Sequence, residues 1–247
     1  VMHEYKHNLI LPALHAALPY PPSQEIICIG GGRTPTKDWM AQLVQKSEKG
    51  GTDRSIWAID RGVNITHALG ILPNRLIGDG DSASIFPKMF AKLQGVQIDS
   101  FPREKDFTDT ELALQIAAEE IESPLVILTA AFGGRLDHLM STAAVAAHAA
   151  IPCVLADERE TLFYLRAGEE LTVTCESAPR AISLLPFTAE CSGVKTRRLY
   201  WELDNEDISA HSSRAISNEL APEYRGEKKF TVSIKTGILG VYLCHKE

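Results

Sequence analysis

Three clusters in this chain have the residue types and spacing to handle phosphate and a hard divalent cation. The first is Gly133-Gly134-Arg135-Leu136-Asp137-His138, which follows the apolar run Leu125-Val126-Ile127-Leu128-Thr129 and precedes the alanine-rich segment Leu139 to Ala150. A strand that ends in a double-glycine turn and feeds a helix lets backbone approach a ligand closely. It also aims free N–H groups and a positive dipole end at an anion. Arg135 adds a planar fork of donors matched to phosphate oxygens. The second cluster is Asp79-Gly80-Asp81, after the apolar Arg75-Leu76-Ile77. Two carboxylates across one glycine repel unless a cation sits between them. Mg²⁺ suits such a pair, because it binds through one or two carboxylates plus substrate phosphates. The third is Lys105-Asp106-Phe107-Thr108-Asp109-Thr110-Glu111, where Lys105 can serve as a point charge for phosphate.

Each cluster also has a plainer account. The double-glycine turn could be an ordinary strand-to-helix connection, and Asp79-Gly80-Asp81 an ordinary polar turn. Thr108 and Glu111 have capping-box spacing, and Asp109 in a first helical turn is favoured by the helix dipole. What the three share is placement. From Glu25 to Asp157 short apolar runs alternate with helical patterns: Ile26–Ile29 ends at Gly30-Gly31-Gly32, Ser55–Ile59 at Asp60, Arg75–Ile77 at Asp79, and Cys153–Leu155 at Asp157, with further strands at Val96–Ile98 and Leu125–Thr129. Helical stretches are expected around Asp38–Gln45 and over Thr108–Ile121. Strands separated by helices predict βαβ units and a parallel sheet, and such sheets bind ligands outside the carboxyl ends of their strands. Asp60, Asp79 and Asp81 all fall there.

The chain on either side differs in character. Residues 1–24 form an N-terminal extension with a loose helical spacing of Leu9, Leu11, Leu14 and Leu18, broken by Pro19-Tyr20-Pro21-Pro22. Residues 25–157 are the expected α/β domain. Residues 158–247 carry strand-like segments, Leu171–Cys175, Ala181–Leu185, Leu199–Leu203, Phe230–Ile234 and Ile238–Leu243, and predict a small antiparallel β domain.

At 247 residues the chain is long enough to bury a sizeable core without disulfides or metals. Its net charge of −7 and lack of a long basic run argue against nucleic acid as a partner. Five scattered cysteines with no C-x-x-C point to buried thiols in a reducing cytoplasm. No apolar stretch is long enough to span a bilayer, and no N-terminal run resembles a signal peptide.

Taken in order, the motifs resemble those of the thiamin pyrophosphokinase (thiamine diphosphokinase) family. Gly30-Gly31-Gly32 is similar to its first glycine turn. Ala58-Ile59-Asp60-Arg61-Gly62-Val63-Asn64 resembles its A-D-G-G-A-N segment, and Pro73 through Ser82 its P-x-x-x-I-G-D-F-D-S. The segment from Lys105 to Glu111 is similar to K-D-x-T-D-T-E, and Gly133 to His138 to G-G-R-x-D-H. In the last third, Gly193-Val194-Lys195, Leu199-Tyr200-Trp201 and Ser217-Asn218-Glu219 fit its β-domain motifs.

The resemblance implies a Rossmann-like α/β domain followed by a β-sandwich. It implies transfer of a pyrophosphoryl group from ATP to thiamin, giving thiamin diphosphate and AMP. Mg²⁺ dependence and a homodimer with shared active sites come with it. Asp79, Asp81 and Asp109 would hold metal and phosphates; Lys105, Thr108, Arg135 and His138 would contact ATP; Asp60 and Asp137 would complete the acidic pocket. Trp201 would stack on thiamin, with Ser217 and Asn218 beside it, although a strand tryptophan could equally be a core residue.

Two positions depart from the pattern. Arg61 stands where the family has glycine, next to Asp60, with which it could pair. Gly80 stands where the family has phenylalanine and loosens the turn between Asp79 and Asp81. Three other readings stay open at this point: a pyrophosphokinase acting on a hydroxymethylpterin, a nucleotide-binding relative without turnover, and a phosphatase using Asp79 as nucleophile.

Overall fold

The structure is a computed structural model that describes residues 7–45, 54–78, 89, 91–102, 104 and 106–246. It divides into two compact units, one made of residues 22–157 and the other of residues 1–21 with 158–247.

The N-terminal segment corrects the helical expectation. It is a β-hairpin, β1 (His7–Leu11) and β2 (Leu14–Leu18), turned at Pro12-Ala13 with Ala13 at φ 77. Leu9, Leu11, Leu14, Ala16 and Leu18 are buried on one face. The two-residue turn explains the misreading: it separates Leu11 from Leu14 by three positions, so two runs of period two imitate a helical i, i+3 spacing. Strand β2 also has a partner at hand, pairing antiparallel with a strand of the same unit, residues 170–175.

The α/β unit is a six-stranded parallel sheet: β3 (Gln24–Ile29), β4 (Arg54–Ile59), β5 (Arg75–Gly78), β6 (Gln97–Ser100), β7 (Pro124–Thr129) and β8 (Cys153–Ala156), in the order β8-β7-β3-β4-β5-β6. All six residues of β7 are buried, as are five of the six in β3. Continuous apolar runs of this kind belong to strands covered on both faces. The chain order runs from β3 outward to β6, then returns to the other side of β3 for β7 and β8. That reversal makes the β3–β7 boundary a topological switch point, where open α/β sheets place their ligands.

Among the helices with described bounds, α1 (Lys37–Val44), α2 (Gly62–Leu69), α3 (Asp109–Glu120) and α4 (Leu136–His148) connect these strands. Thr36 caps α1, and Thr108 caps α3 by accepting the Glu111 N–H at 3.2 Å, so the capping spacing was read correctly. Arg75, buried at the start of β5, donates from Nη1 and Nη2 to the Glu120 carboxylate at 2.5 and 2.9 Å. It also pairs with Asp99 and lies over the Trp57 ring. This fixes the C-terminal end of α3 beside the start of β5, which leaves the N-terminal end of α3 for the strand-end edge.

In the β unit, β9 (Glu160–Leu165), β10 (Glu170–Cys175), β11 (Ala181–Pro186), β12 (Glu190–Arg197), β13 (Asp204–Ser209), β14 (Lys229–Ser233) and β15 (Leu239–Cys244) are antiparallel. One sheet has the order β1-β2-β10-β14-β12-β13, and β11, β15 and β9 lie side by side in that order. The expected strand at Leu199–Leu203 is instead a turn between β12 and β13. Arg198 takes φ 73, and its backbone N–H donates to Glu202, which closes the loop; only Leu199 retains a bridge, to Leu220.

Gly62 is the tightest point in the α/β unit. A Cβ there would lie 1.8 Å from the Ile29 carbonyl oxygen. Gly62→Ala is therefore expected to cost about 3 kcal/mol or more, as forced overpacking does. In a chain of this size that lowers the melting temperature by on the order of ten degrees. Gly70→Ala is the control: φ is 72 and nothing lies within 4 Å of the added carbon. It should cost only about 1 kcal/mol of backbone strain. Equal thermal melts for the two variants would contradict the packing argument.

Candidate active site

The turn after β7 is built by its backbone. Ala130 takes φ 51, and Gly133 and Gly134 take φ 73 and 70. Two consecutive left-handed residues swing the chain into α4, a conformation glycine adopts without a Cβ penalty. The Gly30–Arg33 segment lies alongside: the Gly32 N–H donates to the Ala130 carbonyl and the Arg33 N–H to the Phe132 carbonyl, each at 2.7 Å. Arg33 then reaches Asp157, past the end of β8, with Nε and Nη2 at 2.9 and 2.6 Å from Oδ2. This pair ties the glycine loop to the sheet. Sequence reading missed it, because partners 124 positions apart leave no local signal.

The next strand end continues the edge. Asp60 takes φ 49 and donates its N–H to the Ile77 carbonyl at 2.8 Å, which locks the end of β4 to β5. Arg61 is exposed and lays its aliphatic stem over Gly31; its Cβ and Cδ are 2.9 and 3.5 Å from where a Gly31 Cβ would stand. Gly78, the last residue of β5, measures the closure of the acidic edge. A Cβ built on it lies 3.2 Å from the Asp60 Cα and 3.6 Å from the Asp109 Cγ. Asp60 and Asp109, 49 positions apart in the chain, therefore converge on one strand end, and Asp79 follows Gly78 in the sequence. Thr108 keeps its capping role while Asp109 faces Gly78, so the two accounts of that segment hold together.

Asp79, Asp81 and Lys105, with the Gly80 departure, lie outside the described residues. Among the described residues no group of three or more His, Cys, Asp or Glu side chains is placed to hold a metal ion.

In the first turn of α4, Arg135 and Asp137 form a bidentate pair, with Nε–Oδ1 at 3.1 Å and Nη2–Oδ2 at 2.5 Å. The guanidinium holds the Asp137 carboxyl below the usual carboxylate range, and the carboxylate raises the arginine. Asp137 also accepts the His138 N–H at 3.0 Å. The Arg135 side chain is 73% exposed and is held by Asp137 at the surface.

The β unit holds the remaining candidates. Trp201 is 58% exposed, whereas Trp39 and Trp57 are 7% and 4% exposed, so the core-residue alternative for Trp201 does not hold. Its ring meets Tyr200 edge-on at 4.7 Å. Ser217 is exposed in a left-handed conformation, φ 58. Asn218 is buried, and its carboxamide bonds to the Trp201 backbone. The structure thus brings Asp60 and Asp109 together on one unit, and Trp201, Ser217 and Asn218 together on the other.

Comparison with known proteins agrees with both halves. The family described as "Thiamin pyrophosphokinase, catalytic domain" matches residues 51–154, and "Thiamin pyrophosphokinase, vitamin B1 binding domain" matches residues 170–239. A thiamine pyrophosphokinase of Bacillus subtilis is 27% identical over 191 residues, covering 76% of this chain and 86% of the relative. The crystal structure of a thiamin pyrophosphokinase from Geobacillus thermodenitrificans superposes with a TM-score of 0.71 at 28% identity, covering 91% of this chain and 99% of that one. The Bacillus subtilis crystal structure shares the fold with a TM-score of 0.75 at 22% identity, covering 91% of this chain and all of that one. No helix among the described residues is long and apolar enough to cross a membrane. With both family domains matched in order over more than half its length, the chain belongs to the thiamin pyrophosphokinase family of enzymes.

Proposed function

We propose that the family's reaction, transfer of a pyrophosphoryl group from ATP to thiamin, is carried out here by the strand-end edge of the α/β unit. In that reaction the thiamin hydroxyl oxygen attacks the β-phosphorus of ATP. The bond from that phosphorus to the α–β bridging oxygen breaks, AMP leaves, and the hydroxyl proton is released. The observation that carries the assignment is the convergence of Asp60 and Asp109 on Gly78. Asp109, with Asp79 and Asp81 by resemblance to the family motif, would hold Mg²⁺. The ion supplies neutralisation of phosphate charge when bound.

The rest of the work belongs to the chain. The glycine turns let backbone N–H groups approach phosphate. Arg135 offers its fork, with Lys105, Thr108 and His138 as further ATP contacts. Asp60 and Asp137 keep the pocket acidic and Arg135 oriented. Phosphoryl-type transfer needs this positioning and charge neutralisation more than covalent chemistry. Trp201 stacks on thiamin, with Ser217 beside it. The enzyme acts as a homodimer in which one subunit's acidic edge meets the partner's β unit. All five cysteines are free thiols, four of them buried, which supports a reducing, cytoplasmic setting.

The test is a product assay with ATP, thiamin and Mg²⁺. AMP together with thiamin diphosphate is expected. Inorganic phosphate in their place would favour a phosphatase, and binding without turnover would favour a nucleotide-binding relative. Within this reading, Arg135→Lys keeps the charge but loses bidentate geometry. It is expected to lower kcat/KM by at least about tenfold, the equivalent of about 1.5 kcal/mol at the low end for a hydrogen bond to a charged group. An unchanged kcat/KM would make the arginine a structural partner of Asp137 alone.

A further inference from the structure

We propose that Asn218 is a positioning residue: its buried carboxamide sets the geometry of a thiamin wall made of Trp201 and Ser217. The proposal rests on the reading that Trp201 stacks on thiamin. It departs from the simple expectation that Asn218 touches substrate. The side chain is buried, and its polar atoms are engaged by backbone. Nδ2 donates to the Trp201 carbonyl at 2.8 Å, while Oδ1 accepts the Trp201 N–H at 3.1 Å and the Glu219 N–H at 2.9 Å. One planar amide therefore grips both polar groups of Trp201, as a neighbouring strand would, at a place where the chain has no strand.

The grip is anchored. The Asn218 backbone exchanges two hydrogen bonds with Ile182 on β11, at 2.7 and 2.8 Å. The Ser217 N–H donates to the Ser183 hydroxyl on the same strand at 2.9 Å. The turn carrying Trp201 and the turn carrying Ser217 are thus both referred to β11. The indole itself is left exposed, with Tyr200 at its edge. An exposed ring on a fixed backbone has lost part of its freedom before a ligand arrives, and preorganisation of this kind raises affinity by lowering the ordering cost of binding.

The experiment compares Asn218→Ala, Asn218→Asp and Trp201→Ala in the full-length enzyme. Asn218→Asp is nearly isosteric and retains the acceptor oxygen, but sets an oxygen against the Trp201 carbonyl; it is assayed at about pH 8, where a carboxylate is ionised. Asn218→Asp leaves the Trp201 carbonyl without its donor, and Asn218→Ala also leaves the Trp201 and Glu219 N–H groups without their acceptor, so either variant is expected to raise the KM for thiamin at least about tenfold. The kcat and the KM for ATP should stay within about twofold. Trp39 and Trp57 are buried, so acrylamide quenching reports on Trp201, and quenching should increase in both Asn218 variants. In the double variant, Asn218→Asp should add nothing to the thiamin KM of Trp201→Ala, as expected for two residues acting through one ring.

If Trp201→Ala raises the thiamin KM and Asn218→Asp does not, the positioning role is wrong and the stacking reading stands. If Trp201→Ala leaves the thiamin KM unchanged, the stacking reading fails and the positioning role fails with it. Parallel losses in kcat and in both KM values would mark Asn218 as a purely structural residue. Should Asn218→Ala fold poorly, the Asn218→Asp comparison decides.

Discussion

Asp109→Ala is expected to lower kcat/KM by at least about a hundredfold, the scale of removing a group that neutralises transferring charge, while the thermal melt moves by only a few degrees. The two readouts separate because α3 does not take its cap from Asp109. Thr108 caps α3 without help from Asp109, and an acidic residue in a first helical turn contributes only about 0.3–1 kcal/mol through the dipole. What Asp109 does have is a carboxyl carbon 3.6 Å from the position of a Gly78 Cβ, on the strand end shared with Asp60. The loss should be accompanied by a higher Mg²⁺ concentration for half-maximal rate.

Asp99→Asn is the control. Asp99 stands on β6 opposite Ile77, one position before the strand end, but its carboxylate is engaged by Arg75 at the start of β5. Removing its charge should lower the melt and leave kcat and the Mg²⁺ dependence unchanged. Near-wild-type turnover of Asp109→Ala with a lowered melt would reverse the assignment and make Asp109 a helix residue only.

How far the sequence could lead depends on the range over which each feature is encoded. The parallel sheet was legible because the apolar runs Ile26–Ile29 and Leu125–Leu128 each lead into a glycine turn, and that signal is contained within about ten residues. The cap of α3 was legible for the same reason, as Thr108 and Glu111 are three apart. Asp60 and Asp109 could be named one at a time from strand-end and helix-start patterns. Their convergence on Gly78 could not, because it joins residues 49 positions apart through the packing of α3 on the sheet.

The failures have the same physical origin. The hairpin of residues 7–18 was mistaken for a helix because a two-residue turn changes the parity of its leucines, and its strand character is settled by pairing with β10, more than 150 positions away. Leu199–Leu203 has strand-like residues, but Arg198 enters the left-handed region and Glu202 closes the loop. The apolar surface that a strand would have buried is left exposed at Tyr200 and Trp201. At this point local propensity gives way to a presented aromatic ring. The Arg33–Asp157 pair had no sequence signal at all, since neither residue is unusual where it stands.

The second large effect expected is recovery of activity on mixing two inactive proteins. The acidic edge lies wholly within residues 22–157, and the exposed Trp201 lies in the other unit. If each active site takes its carboxylates from one subunit and its tryptophan from the partner, then at a thiamin concentration far below the raised KM of Trp201→Ala both variants are inactive, Asp109→Ala through the first half and Trp201→Ala through the second. A dimer of Asp109→Ala with Trp201→Ala then has one site carrying both lesions and one carrying neither. Random exchange of equal amounts makes half the dimers mixed, so activity should return to about a quarter of the wild-type value, as two-fold symmetry dictates. If each subunit instead completes its own site, every site in the mixture keeps one lesion and nothing returns. Subunit exchange is followed independently by giving the two variants different tags and isolating mixed dimers through both tags in turn. Isolated mixed dimers should then show about half of wild-type activity, one intact site of two. Verified exchange with no recovery, from two variants that are each folded and inactive, would refute the shared site and leave the tryptophan to act within its own chain.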